Sequence, residues 1–235
     1  MITLTKRLQT VADLVPTGCS FADIGTDHAY LPVWLLQKGV IDHAIAGDIR
    51  QGPLDHAKAT ARRYGCTEQL SFRLSDGLAA LDPHEADCIA IAGMGGEAMI
   101  SILTAAPWTR TNTRLILQPQ TNLPELRRWL TGNGYAILEE RCLFEEGHWY
   151  TVMLVSGGED PIKWTPGAAM AGHPSRWAYQ PEREEYLRFL VDRTAKELRG
   201  LEKAAHPYEA RIQTLTQADQ ELRAMIHSLT QEENV

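Results

Sequence analysis

The sequence predicts an α/β protein: a parallel sheet that ends in an antiparallel hairpin, followed by a helical hairpin. Three observations predict it. Short apolar runs alternate with helix signals through the first 155 residues. Two strand signals, Tyr135–Phe144 and His148–Val155, are then separated only by Glu145-Glu146-Gly147. Beyond residue 180, apolar residues recur every three or four positions.

In chain order, Lys6, Arg7, Leu8, Val11, Ala12, Leu14 and Val15 read as an amphipathic helix. Strand signals follow at Ser20–Ile24, Ala44–Asp48, Ser71–Leu74, Asp87–Ala92 and Thr113–Leu117. Uninterrupted apolar runs of this kind suit strands buried on both faces of a parallel sheet. Helix signals at Pro32–Lys38, Pro53–Tyr64, Glu97–Leu103 and Leu123–Thr131 lie between them. Pro53 fits the first helical position and Gly65 the C-cap. No helix fits between the last two strands, so they pair as an antiparallel hairpin. A parallel sheet finished in this way is the Rossmann-like architecture of class I methyltransferases. Residues 157–180, rich in Gly, Pro and Trp, read as a linker or wrapping loop.

From Glu182 a helix carries the seam Leu187, Val191, Thr194, Leu198, Leu201 and Ala205, which His206-Pro207 breaks. A second seam runs through Tyr208, Ile212, Leu215, Leu222, Ile226 and Leu229, with polar Asp219 near its middle. Two such seams make a coiled-coil-like helical hairpin, with an intermolecular coiled coil as the alternative. Two units are expected, a cofactor-binding domain over 1–158 and a linker with helical hairpin over 159–235, in a monomer rather than a dimer.

Of 235 residues, 44% are hydrophobic and 23% charged, as in ordinary soluble domains. No segment reads as a membrane span or a secretory signal, so a cytoplasmic location and no membrane partner are expected. Cys19, Cys66, Cys88 and Cys142 form no C-x-x-C pair and no regular framework, and Cys88, within an apolar run, is expected to be a reduced, buried thiol. His84 and Cys88 would face one another on a helix, but a histidine satisfied by its neighbours is the preferred reading. No metal is expected. The net charge of −7 weighs against nucleic acid. Local basic clusters exist nonetheless: Arg50, Lys58, Arg62 and Arg63 around one helix, Arg127 and Arg128 on another.

The chemistry centres on Phe21–Tyr30, where a strand ends on Gly25 and turns into a helix. Glycine lets a ligand approach the backbone, and the helix start offers free N–H groups. The G-x-G-x-x-G fingerprint is absent, and Asp23 and Asp27 flank the turn. Two acids repel a pyrophosphate but suit a cofactor with a cationic amino-acid tail and no phosphate, namely S-adenosylmethionine. Asp23, Gly25, Thr26 and His28 are the candidate contacts; a capped turn without ligand is the alternative.

Asp48, with Ile49, ends the second strand 23 residues after Gly25, near the offset at which an acid meets ribose hydroxyls. A solvated strand-end aspartate is its alternative. Asp76-Gly77 closes the third strand, placed for the adenine amino group or as an ordinary turn. Gly93, Met94 and Gly95 lie at the carboxyl end of the fourth strand, where ligands bind in open α/β sheets. Met94 lines a methyl-transfer pocket or belongs to the core. Gln118 and Gln120 end the fifth strand and either read a base edge or cap the loop.

Six segments carry a resemblance to a known family. They are K-R-L-Q-T-V-A-D at Lys6–Asp13, A-D-I-G-T-D-H-A-Y-L-P at Ala22–Pro32, G-D-I-x-x-G-P at Gly47–Pro53, D-G-L at Asp76–Leu78, I-A-G-M-G-G at Ile91–Gly96 and L-I-L-Q-P-Q at Leu115–Gln120. Over about residues 5–155 the chain resembles the bacterial tRNA (adenine(22)-N(1))-methyltransferases, which also carry a helical C-terminal domain. It departs in having Gln120 where the family has asparagine.

The resemblance implies methyl transfer from S-adenosylmethionine to N1 of an adenine in tRNA. Adenine N1 already carries a lone pair, so placement matters more than proton removal, and an exposed or flipped base is required. Asp27 is the candidate for stabilising the positive charge the base gains, or for gripping the methionine amino group. Gln118 and Gln120 complete the expected catalytic set. Tyr30 is a stacking platform or a core tyrosine. Arg183, Arg188, Arg193, Lys196, Arg199 and Lys203 are candidates for tRNA phosphates, against a merely solvated helix. Deleting residues 160–235 is expected to spare cofactor binding and cripple tRNA methylation. Methylation of another RNA or a small molecule, and a silent scaffold, are the competing readings.

Overall fold

The computed structural model describes residues 2–178, 180–203 and 208–232. Seven strands form one sheet in the order β3-β2-β1-β4-β5-β7-β6. They are β1 (Phe21–Ile24), β2 (Ala44–Asp48), β3 (Leu70–Leu74), β4 (Cys88–Met94), β5 (Arg114–Pro119), β6 (Tyr135–Glu145) and β7 (His148–Gly157). The first five are parallel, while β7 pairs antiparallel with both β5 and β6. The hairpin turn is two residues, Glu146 at φ 49° and Gly147 at φ 81°, one shorter than expected. Two positive φ values match the primed turn that suits the twist of paired strands.

Alternate strand residues feed two cores. Phe21, Ala46, Cys88 and Ala90 face helices α1 (Lys6–Ala12), α2 (Tyr30–Gln37) and α3 (Gln51–Tyr64). Ile24, Ile45, Ile91 and Leu117 face α4 (Gly96–Ala105) and α5 (Leu123–Gly132). The chain winds β1-β2-β3 one way and β4-β5 the other, so the order reverses between β1 and β4. Ligands bind at the carboxyl rim of such a reversal.

Several local expectations change. Helix α2 starts at Tyr30, two residues early, because Ala29 at φ 55° turns the chain there. Pro53 is the third residue of α3, still inside the first turn where no N–H partner is lost. Helix α1 stops at Ala12, leaving Leu14 and Val15 buried in the following turn. His84 and Cys88 share no helix: His84 sits in a turn at φ 79° and Cys88 opens β4.

Residues 157–180 hold more structure than a linker. Helix α6 (Pro166–Ala171) is capped by the Thr165 side chain, and Gly167 N–H donates to Glu221 at 2.6 Å. Helices α7 (Arg183–Glu202) and α8 (Glu209–Glu232) pack against one another as the folded-back hairpin. Leu187, Val191, Thr194, Leu215 and Leu222 of the predicted seams are buried, whereas Tyr208 is exposed. Ala205 and His206-Pro207 lie outside the described residues. Helix α7 also buries Tyr186 and Leu190, because it packs on β6 as well as on α8.

Two arginines assigned to basic surfaces are interior. Arg127 is fully buried, 2.8 Å from Glu140 and donating to the carbonyls of Ala169 and Met170. Arg183 is buried over the Trp177 ring, donating to the Glu140 carbonyl and to Gln180. Each lies on the apolar side of its helix, where a charge survives only if paired.

Candidate active site at the carboxyl rim

The rim is built from the ends of β1, β2, β3 and β4. Gly25, at φ 75°, donates its N–H to the Gly47 carbonyl, as does Thr26. The left-handed backbone at Gly25 favours glycine, and a Cβ there would fall 2.3 Å from the methyl carbon of Met94, which would have to move aside. Met94 is thereby placed: half-buried on one core, with its methyl over the turn.

Asp23 is buried beneath the turn and accepts a 2.7 Å hydrogen bond from the Thr26 hydroxyl. Burial pushes its carboxyl up to about 6; the Thr26 bond opposes this and the Asp48 charge adds to it. Asp48 is buried too, one carboxylate oxygen accepting from Arg50 N–H at 3.0 Å. Ile49 beside it is 60% exposed, an apolar surface at the edge of the crevice. Asp76 is exposed after β3, and Gly77 turns at φ 55° against Ile102 of α4.

Asp27 and His28 differ from these buried groups. Asp27 takes φ 48°, its side chain is 64% exposed, and it lies 3.8 Å from His28. The His28 ring stacks on Tyr30 at 5.2 Å and 7°, and on His56 of α3 at 4.7 Å and 3°. His56, His28 and Tyr30 thus form one column at the mouth, with Tyr30 44% exposed. Asp27, His28 and His56 each bring a potential metal-ligand atom within 4.8 Å of the others. Parallel rings, however, aim their in-plane lone pairs side by side rather than at one ion, which suits a stack.

The glycines after β4 divide in role. Gly93, at φ 79°, faces the rim near Arg7 and the Gln120 amide. Gly95 and Gly96 are bare because Thr121 and Asn122 pack on them, so the Gly95 assignment has a packing reason of its own. Gln118 lies inside the rim. It is fully buried, its oxygen accepting from Arg7 at 2.7 Å and Gly93 N–H at 3.1 Å, its nitrogen donating to the Pro119 carbonyl. These bonds match the loop-capping alternative for Gln118. Gln120 keeps an exposed amide while its N–H donates to the Met94 carbonyl.

Sequence reading missed Arg7 and His56. Arg7 arrives from α1, pinned by Gln118 and 5.9 Å over the Tyr150 ring. His56 lies in no motif; only its position on α3 brings it to His28.

This sheet, its terminal hairpin and the acids at the ends of β1, β2 and β3 define a class I S-adenosylmethionine-dependent methyltransferase. A family model described as a methyltransferase domain matches residues 4–153, and the chain belongs to that family. It is 43% identical over 157 residues to the tRNA (adenine(22)-N(1))-methyltransferase of Bacillus subtilis (strain 168), 66% of this chain and 66% of that protein. Its fold matches the crystal structure of the Bacillus subtilis m1A22 tRNA methyltransferase TrmK with a TM-score of 0.82 and 32% identity, covering 96% and 100% of the two chains. A putative tRNA (m1A22) methyltransferase of Streptococcus pneumoniae, solved in complex with S-adenosyl-L-methionine, matches at TM-score 0.77 and 33% identity over 96% and 100% of the chains.

The cofactor is S-adenosylmethionine, and the rim fits it. Asp48 keeps a second carboxylate oxygen beside apolar Ile49, and the buried carboxyl of Asp23 under the turn would suit a cationic tail rather than a phosphate.

Proposed function

We propose that the protein methylates N1 of adenine 22 in tRNA. The observation that carries this reading is the 43% identity over 157 residues to the Bacillus subtilis enzyme. In support, the turn that meets the cofactor also presents an exposed acid and an aromatic column to solvent. Bound S-adenosylmethionine supplies a methyl group made electron-poor by its positively charged sulfur.

The remaining work falls to this chain. Asp23, Gly25, Thr26 and Asp48 hold the cofactor, with Ile49, Asp76 and Gly77 around its adenosine half. Tyr30, backed by His28 and His56, offers a face on which a flipped base stacks. Asp27 stands beside that face, where a carboxylate offsets the positive charge the base gains. Gln120 offers an amide to the base edge, and buried Gln118 fixes the rim that carries it. No residue is needed to remove a proton before attack. Arg193, Lys196 and Arg199, exposed on α7, and Lys203 at its C-cap have no ion pair among the described residues and are the remaining phosphate candidates there. Transcripts of one tRNA with adenine or guanine at position 22 test the reading. The adenine transcript should accept methyl groups and the guanine transcript none; equal labelling of both would refute it.

A further inference from the structure

We propose that the outer face of α3 is a phosphate-binding track for the tRNA strand that enters the active site, an inference that rests on tRNA being the acceptor. Arg50, just before the helix, and Arg62 and Arg63 in its last turn are exposed. None of the three has an ion-pair partner among the described residues. Lys58 lies between them, with one long contact to Asp55 at 3.8 Å. Asp55 is itself engaged by Gln51 at 2.8 Å, and Glu68 is the other acid nearby. A positive face therefore stands on a chain of net charge −7.

The C-terminal helices spend much of their basic charge internally. Arg188 is held by Glu184, Arg211 by Glu197 and Arg223 by Asp219. Arg183 is buried. Free guanidinium groups are what phosphate oxygens require.

Two further features give the α3 face direction. Lys58 and Arg62 line a concavity of about 290 Å³ with Thr67, Leu70 and Phe72, spacious enough for a phosphate and its water. His56, on the same helix, stacks on His28 at the mouth. From His56 to Arg62 is six residues, about 9 Å along the axis. A strand whose target base lies at the turn would thus carry its neighbouring phosphates along α3 toward Lys58 and Arg62.

The full-length double variant Arg62→Glu/Arg63→Glu tests this, with Arg62→Lys/Arg63→Lys as the charge-keeping control. Expected for the glutamate variant are a loss of about tenfold or more in tRNA affinity and a salt dependence shallower by about two ions. S-adenosylmethionine affinity should stay at the wild-type value, and the lysine variant should retain most tRNA binding. Wild-type affinity and salt slope in the glutamate variant would overturn the track while leaving the acceptor reading intact. A wild-type protein that neither binds nor methylates tRNA would overturn both.

Discussion

At the residue scale, the two acids of the Gly25 turn divide by environment. Asp27 is exposed and Asp23 buried, so they answer different experiments. Asp27→Ala should lower turnover on tRNA by at least about tenfold while changing cofactor affinity little, if its exposed carboxylate serves the acceptor as proposed. Equal losses in both, read by single-turnover methylation and calorimetry, would move Asp27 to the cofactor. For Asp23 the folded carboxyl is held up at about 6. The folded protein then keeps a proton that the unfolded chain releases from about pH 4 upward. This residue's contribution to stability therefore falls as pH rises through that window. A cationic cofactor tail favours the ionised form, so cofactor affinity should drop by up to about tenfold per pH unit below 6 and stay level above it. Asp23→Asn should bind more weakly with that dependence removed; an unchanged profile would place another group at the tail.

At the scale of elements, the buried Arg127–Glu140 pair joins α5, β6 and α6. Arg127→Met should destabilise the protein by about 3–5 kcal/mol, since the Glu140 carboxylate would remain interior and unpaired. Chemical denaturation measures it, and Arg127→Met/Glu140→Leu should recover much of the loss. The five parallel strands and the hairpin were legible because apolar runs and turn residues are local signals. Helix α6 was not: six residues, five of them Gly, Ala or Pro and the sixth Met170, carry no periodicity, and tertiary contacts hold them. The same limit hid the burial of Arg127 and Arg183, whose partners lie 13 and 43 residues away. The rim acids and Gly25 were readable from a contiguous turn, whereas Arg7 and His56 reach the rim only through packing.

For the whole molecule, the expected division at 158/159 crosses a tied surface. Asp160 accepts from Ile137 N–H at 2.9 Å, and the Gln180 amide brackets Cys142 with bonds of 2.7 and 2.8 Å to its N–H and carbonyl. Helix α7 adds Tyr186 and Leu187 to a core shared with Cys142 and Trp149. We therefore expect one cooperative thermal transition for the full chain, which calorimetry would show as a single peak. Deleting residues 160–235 should lower the midpoint sharply. Two resolved peaks would restore independent units. Charge reversal at Lys196, Arg199 and Lys203 is consequently a cleaner test of tRNA recognition by the helices than truncation.

On the proposed function, this rim delivers a methyl group to adenine N1 in tRNA. Unmodified tRNA is incubated with the protein and labelled S-adenosylmethionine; one portion is digested to nucleosides to identify the product, and an intact portion is mapped by reverse-transcription arrest. The expected product is 1-methyladenosine at position 22. Label on another atom or another position, or none in tRNA, would contradict that function.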